Sequence, residues 1–166
     1  MSLTVSNTYS IRIYYNKNSS LVTGSTRKSQ PTGTLSMADA SALRNAIRKL
    51  QDYKFDDATE AQNQEKLKAF TDTINNTLSS ATAYGTNDSS VKNAANTIKR
   101  LNSEYAKELE KIGIKTNKDG TLEVSDSAAK NLNSKRFTKF FSKDSKYLNS
   151  LYDAAKKITR KVDVRI

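Results

Sequence analysis

Apolar residues recur at helical spacing along most of this chain. From Ser36, the residues Met37, Ala40, Leu43, Ile47 and Leu50 share one face of a 3.6-residue repeat, with Ser36 placed to cap the start and Asp39 three residues on. A polar junction at Lys54-Phe55-Asp56-Asp57 breaks that pattern. A second one follows through Leu67, Phe70, Ile74, Leu78 and Ala81 to Gly85. Asn87-Asp88 then supplies a turn and the cap of a third helix, carrying Val91, Ala94, Ile98, Leu101, Tyr105, Leu109 and Ile112. This third stripe is close to a 3-4 alternation, with one four-four step at Tyr105–Leu109, and reads as a coiled-coil-like seam. Two long helices joined by so short a turn are expected to pack antiparallel.

The period then changes. Ile112-Gly113-Ile114 and Thr121-Leu122-Glu123-Val124 flank Asp119-Gly120, which predicts a β-hairpin over 112–124. Ser125 or Asp126 can cap a fourth helix carrying Ala129, Leu132, Phe137, Phe140 and Phe141. A fifth helix starts at Asp144 or Ser145, and its Leu148, Leu151, Ala155, Ile158 and Val162 follow unbroken 3-4 spacing. That stripe suits an internal core. It is also the best candidate interaction face, because a terminal amphipathic helix can leave its domain and pair with a neighbour. Val162, Val164 and Ile166 also alternate, so the last residues fit either helix or strand.

The first 35 residues differ from the rest. They are rich in Ser, Thr and Asn and hold the only proline, Pro31, beside Gly24 and Gly33, a composition that suits an arm or linker. Within them Tyr9, Ile11, Ile13 and Tyr15 alternate with polar residues and Tyr14, which predicts a strand over 8–15.

At 166 residues with a 36% apolar share, the chain has room for one domain with a thin core, which favours elongated helical hairpins and bundles. Cysteine and histidine are both absent, which removes disulfides, thiolate nucleophiles, imidazole bases and the usual zinc and copper ligand sets. No run approaches the ~18 apolar residues of a membrane span, and an apolar secretory core is lacking. The net charge of +11 is concentrated at the ends: residues 1–35 carry Arg12, Lys17, Arg27 and Lys28 with no acid, and from Ser127 onward eleven Lys and Arg face only Asp144, Asp153 and Asp163.

Three patterns invite chemistry. Residues 115–126 resemble a calcium loop, but Lys115 stands at the first ligand position and Asp126 is too short for the bidentate Glu of the twelfth, so a plain turn is expected. Asp56, Asp57 and Glu60 form an acidic cluster that suits acid–base work, yet helix N-termini attract acids without any catalysis. The stretch with Lys135-Arg136, Lys139, Lys143, Lys146, Lys156-Lys157 and Arg160-Lys161 interleaves Phe137, Phe140, Phe141, Tyr147 and Tyr152, a combination that can bind nucleic acid. These aromatics sit at core-compatible positions, so packing under a solvated basic face is the expectation. No catalytic residue, cofactor or metal is predicted.

The stretch Leu109-Glu110-Lys111-Ile112-Gly113-Ile114 running on to Asp119-Gly120-Thr121-Leu122, followed by a helix closing on Phe140-Phe141, resembles the C-terminal shaft region of the flagellar filament-cap protein, also called hook-associated protein 2. Upstream, Ala42–Leu50 and Lys68–Asn76 are similar to the helices that precede this region, with Phe70-Thr71-Asp72-Thr73-Ile74-Asn75 standing for the family's F-V-x-x-Y-N. The resemblance covers residues 36–145. It implies a structural corner at Ile112, Gly113, Ile114, Asp119, Gly120, Thr121 and Leu122, and an axial flagellar protein exported without a cleaved signal to the extracellular filament, with itself or flagellin-like subunits as partners. The family's outer β-rich domains have no counterpart here, so a short relative that keeps the shaft is expected.

These readings converge on a mainly α protein, an antiparallel long-helix hairpin or bundle with a small β-hairpin. Its expected parts are a basic arm (1–35), a helical shaft (36–145) and a basic amphipathic C-terminal segment (146–166). The expected function is non-enzymatic assembly through protein partners; the alternative is a basic, cytoplasmic, helical nucleic-acid-binding protein.

Overall fold

A computed structural model describes residues 10–22, 24–125 and 133–162. The chain runs through α1 (10–15), α2 (Gly24–Lys28), α3 (Thr32–Asp52), α4 (Glu60–Tyr84), α5 (Ser89–Glu104), α6 (Ala106–Glu110), β1 (Ile114–Thr116), β2 (Leu122–Val124), α7 (Ser134–Phe140) and α8 (Lys146–Lys161), with 3-10 turns at Asn16–Leu21 and Phe55–Asp57. The chain is mainly helical, with one two-stranded antiparallel sheet among the described residues, as the sequence pattern predicts.

The four long helices close on each other: α3 packs on α4, α4 on α5, α5 on α8, and α8 back on α3. Arg44 of α3 reaches Thr159 and Arg48 reaches Tyr152, so α8 runs opposite to α3. Asp39 of α3 receives Ser80 near the far end of α4, which sets that pair antiparallel too. The result is a four-helix bundle with one long connection between α5 and α8. Its apolar bulk is low because small residues line the seams: Ala38, Ala42 and Ala46 on α3, Ala69 and Ala81 on α4, and Ala154 and Ala155 on α8 are all buried. Buried Thr71, Thr73 and Thr77 on α4 return their hydroxyls to the carbonyls of Leu67, Ala69 and Thr73, so polar side chains enter the core with a partner.

Local chemistry sets the ends. Thr59 and Gln62 form a capping box on α4, and Asp88, Asn133 and Ser145 cap α5, α7 and α8. Pro31, extended at ψ 150°, precedes α3, so that helix begins at Thr32 rather than at Ser36. Ser36 is buried inside it instead of capping it. The third helix does not run unbroken to Ile112: at Tyr105, the site of the four-four step, φ −102° and ψ 21° interrupt it, and α6 leaves at a new angle.

The expected strand over 8–15 is helical from residue 10, because Ile11, Tyr14 and Tyr15 share one buried face at helical spacing; Thr8 and Tyr9 lie outside the described residues. The described part of the expected arm is not separate from the bundle. Ile11, Tyr14, Tyr15, Leu21 and Val22 all join the core, and α3 begins before position 36. The expected cap at Asp126, with Ala129 and Leu132, lies outside the described residues, as do residues 163–166. α8 ends at Lys161, and Val162 is already extended.

The hairpin pairs Ile114 with Val124 and Thr116 with Leu122. Its turn closes through Asn117 N–H to the Thr121 carbonyl (2.8 Å), while Gly120, at φ +88°, supplies the left-handed step. Asp119 spends its carboxylate on Thr121, accepting from Oγ1 (2.6 Å) and N–H (3.0 Å). Those bonds hold the Asp119 carboxyl below its ordinary range. Just past the C-terminal end of α3, Phe55 stacks on both Phe137 and Phe141 at 5.4 Å, which fastens α7 to the α3–α4 connection.

Candidate functional site

Leu148, Leu151, Ala155 and Ile158 are fully buried and Val162 nearly so, covered by α3 and α5. The stripe expected to meet a partner is therefore the bundle's fourth wall. A helix whose apolar face fits its own domain has nothing left to offer on that face. The corner residues Ile112, Gly113, Ile114, Gly120 and Leu122 are buried as well, Asp119 is exposed and Thr121 half-buried.

Two asparagines fix this corner. The Asn75 carboxamide accepts from Leu122 N–H (2.9 Å) and donates to the Leu122 carbonyl (2.7 Å), pairing with β2 as a neighbouring strand would. Asn102 is fully buried. It donates to the Gly120 carbonyl (2.8 Å), accepts from Thr116 on its own carbonyl, and accepts from Tyr147 Oη on its side chain (2.8 Å). One residue of α5 thus ties hairpin and α8 together.

Beside Tyr147 the bend at Tyr105 opens a cavity of about 490 Å³ between α6, α7 and the start of α8. Its apolar wall is made by Tyr105, Ile112, Phe140 and Tyr147; the Tyr105 and Phe140 rings lie 5.3 and 5.8 Å from that of Tyr147. Tyr147 is held rigidly, and burial pushes its phenol far above the ordinary range, so it stays a neutral donor to Asn102. Lys111, Arg136, Lys139 and Lys146 surround the opening, against a single acid, Glu108. All four cations are exposed, and none forms an ion pair among the described residues. The Arg136 guanidinium is near the Lys111 carbonyl at 3.5 Å. The cavity joins part of the basic, aromatic stretch seen in the sequence to Tyr105 and Lys111, which sequence distance kept apart. The four-four step was the one local sign of it.

A second basic seam runs along α3 and α8. Arg48 donates to Tyr152 Oη from Nε (2.9 Å) and Nη2 (2.6 Å), Arg44 from Nη2 (3.2 Å), and both guanidinium groups lie over the ring. Slight burial raises the Tyr152 phenol, but the two arginines outweigh it and bring it below the ordinary range. The ring's face is occupied by its own neighbours.

The acidic cluster of Asp56, Asp57 and Glu60 lies exposed on the surface. Asp56 accepts from Ser134, Asp52 pairs with Lys143 (3.2 Å), and Asp57 and Glu60 are exposed. Among the described residues no group of acids is arranged to hold a metal ion, and no helix is long and apolar enough to cross a membrane. Compared with protein-family models, curated proteins and solved structures, the chain matches none.

Proposed function

We propose that this chain is a non-catalytic assembly module, a stiff helical block that joins other protein subunits through its polar, basic surface. The observation that carries the reading is the Asn75–Leu122 bridge. Lys68–Asn76 and Leu109–Leu122, the two stretches similar to the filament-cap shaft, are far apart in sequence, and here one side chain of the first holds both backbone groups of the second. The side chain of Asn75 thus stiffens a corner, which suits an axial building block. Partners are then flagellin-like or other axial subunits, and the site of action is the extracellular filament.

Co-sedimentation with polymerised flagellin tests this, with a duplex DNA fragment as comparator across a salt series. The module pellets with the filaments and leaves the DNA free at about 0.15 M salt. A chain that stays in the supernatant, or one that forms a DNA complex weakening steeply with salt, contradicts the proposal.

A further inference from the structure

We infer that the cavity between α6, α7 and α8 is a docking site for an acidic peptide segment of a partner protein, anchored by one aromatic or branched apolar side chain. This deepens the assembly reading and rests on it. Shape and charge agree on the occupant. The wall formed by Tyr105, Ile112, Phe140 and Tyr147 lies in a concavity of about 490 Å³, room for a large side chain but not for a folded domain. Lys111, Arg136, Lys139 and Lys146 line it, exposed and without ion pairs among the described residues, against the single acid Glu108, so carboxylates flanking the anchor meet an excess of cations.

Other occupants fit less well. A nucleic-acid strand needs cations spaced along a track and aromatic faces open for stacking. Here the cations line one concavity, and the rings are engaged with one another: Tyr105 and Phe140 with Tyr147, and Phe140 with Phe141 at 4.9 Å. A second copy would bring another +11 charge against this face, which self-repulsion opposes. The concavity lined by Arg12, Ile13, Asn16, Ser19, Asn45 and Lys49 offers an anchor one apolar side chain and no aromatic ring, and the groove holding Arg100, Glu104, Asp153 and Lys157 is balanced in charge.

The wall is rigid before any ligand arrives. Tyr147 is pinned by Asn102, and α7 is held by the Phe55, Phe137 and Phe141 stack, so little ordering cost falls on the protein side.

The test is fluorescence anisotropy with a labelled peptide of aspartates and glutamates around a central phenylalanine. The intact protein binds it. Affinity falls about tenfold or more in K139E/K146E, whose lysines are exposed and leave the fold intact by circular dichroism. It falls severalfold for Phe140→Ala and for a peptide with alanine in place of the phenylalanine. Absence of binding, equal binding by K139E/K146E, or displacement by a single-stranded DNA oligonucleotide at lower concentration overturns the inference. So does a doubling of solution mass that K139E/K146E abolishes, since it assigns the cavity to a second copy. If K139E/K146E pellets with flagellin as the intact chain does, this site is wrong and the assembly reading stands. If the peptide binds but nothing pellets, the assembly reading fails and the site remains.

Discussion

Arg27 grips Asp39 with both ends of its guanidinium, Nη1 to Oδ1 at 2.7 Å and Nη2 to Oδ2 at 2.8 Å. The carboxylate is wholly buried and also accepts from Tyr15 Oη (2.5 Å) and Ser80 Oγ (2.6 Å), while Asn76 donates to Tyr15 Oη (3.1 Å). Tyr15 of α1, Arg27 of α2 and Ser80 of α4 meet at this one charge of α3, with Asn76 behind Tyr15. Tyr15 and Arg27 are thereby locked to the bundle by a network in which both carboxylate oxygens are used.

Removing one partner of a buried pair leaves the other's charge uncompensated. Arg27→Ala should therefore destabilise the fold by ~3 kcal/mol, the low end of the usual range because Tyr15 and Ser80 still donate to Asp39. Urea unfolding of the single variants and of R27A/D39A closes a double-mutant cycle. A loss below about 1 kcal/mol for Arg27→Ala contradicts the network.

Tyr14, Tyr15 and Tyr147 are buried, and burial is the leading cause that raises each phenol above the ordinary value of 10.0, with Asp39 adding to it at Tyr15. The folded state holds these protons after the unfolded chain has released them. Their contribution is full below about pH 10 and is lost as pH rises beyond it, so stability falls in alkali. Tyr152, lowered, has the opposite sign but is only partly buried and contributes little. Thermal melts from neutral pH into alkali check this: the melting temperature drops above about pH 10, and the drop shrinks in Tyr15→Phe.

Asn75→Ala deprives Leu122 of both backbone partners and should cost ~1–3 kcal/mol, read by urea unfolding and by faster amide exchange in the hairpin. Gly120→Ala strains the same corner. Gly120 sits at φ +88°, and an added Cβ would lie 2.7 Å from the Lys99 side chain. The clashing atoms are Cγ and Cβ at the root of Lys99, which α5 fixes in place, so the clash adds to the ~1–2 kcal/mol cost of the left-handed backbone.

Periodicity revealed the long helices, because α3, α4, α5 and α8 each bury one stripe at helical spacing, and Asp119-Gly120 revealed the hairpin. It could not reveal what covers a stripe: Leu148, Leu151 and Ile158 look the same whether they face α3 and α5 or a partner. Residues 10–15 are short enough to satisfy both periods, and only the joint burial of Ile11, Tyr14 and Tyr15 decides for helix. The cavity was half legible. Arg136, Lys139, Phe140, Lys146 and Tyr147 stand within one stretch, whereas Tyr105 and Lys111 reach it only through the bend after α5. The clamp of Arg44 and Arg48 on Tyr152 spans more than a hundred residues, a separation no local pattern encodes.

Leu151→Ala should cost ~2–5 kcal/mol as a core cavity, and L151D/I158D should fail to fold, since two carboxylates would be buried without partners. Circular dichroism reads the outcome. A folded double variant that merely loses a partner would return the stripe to the surface.

α8 is an internal wall, which leaves the polar surface to make the contacts. Native-state hydrogen exchange of the α8 amides measures this most directly. The amides of Leu151, Ala155 and Ile158 should exchange as slowly as those of Leu43, Ile47 and Ile74, opening only with the whole bundle. Fast exchange confined to α8, with α3 and α4 still protected, would contradict it and return α8 to the role of a free arm awaiting a partner.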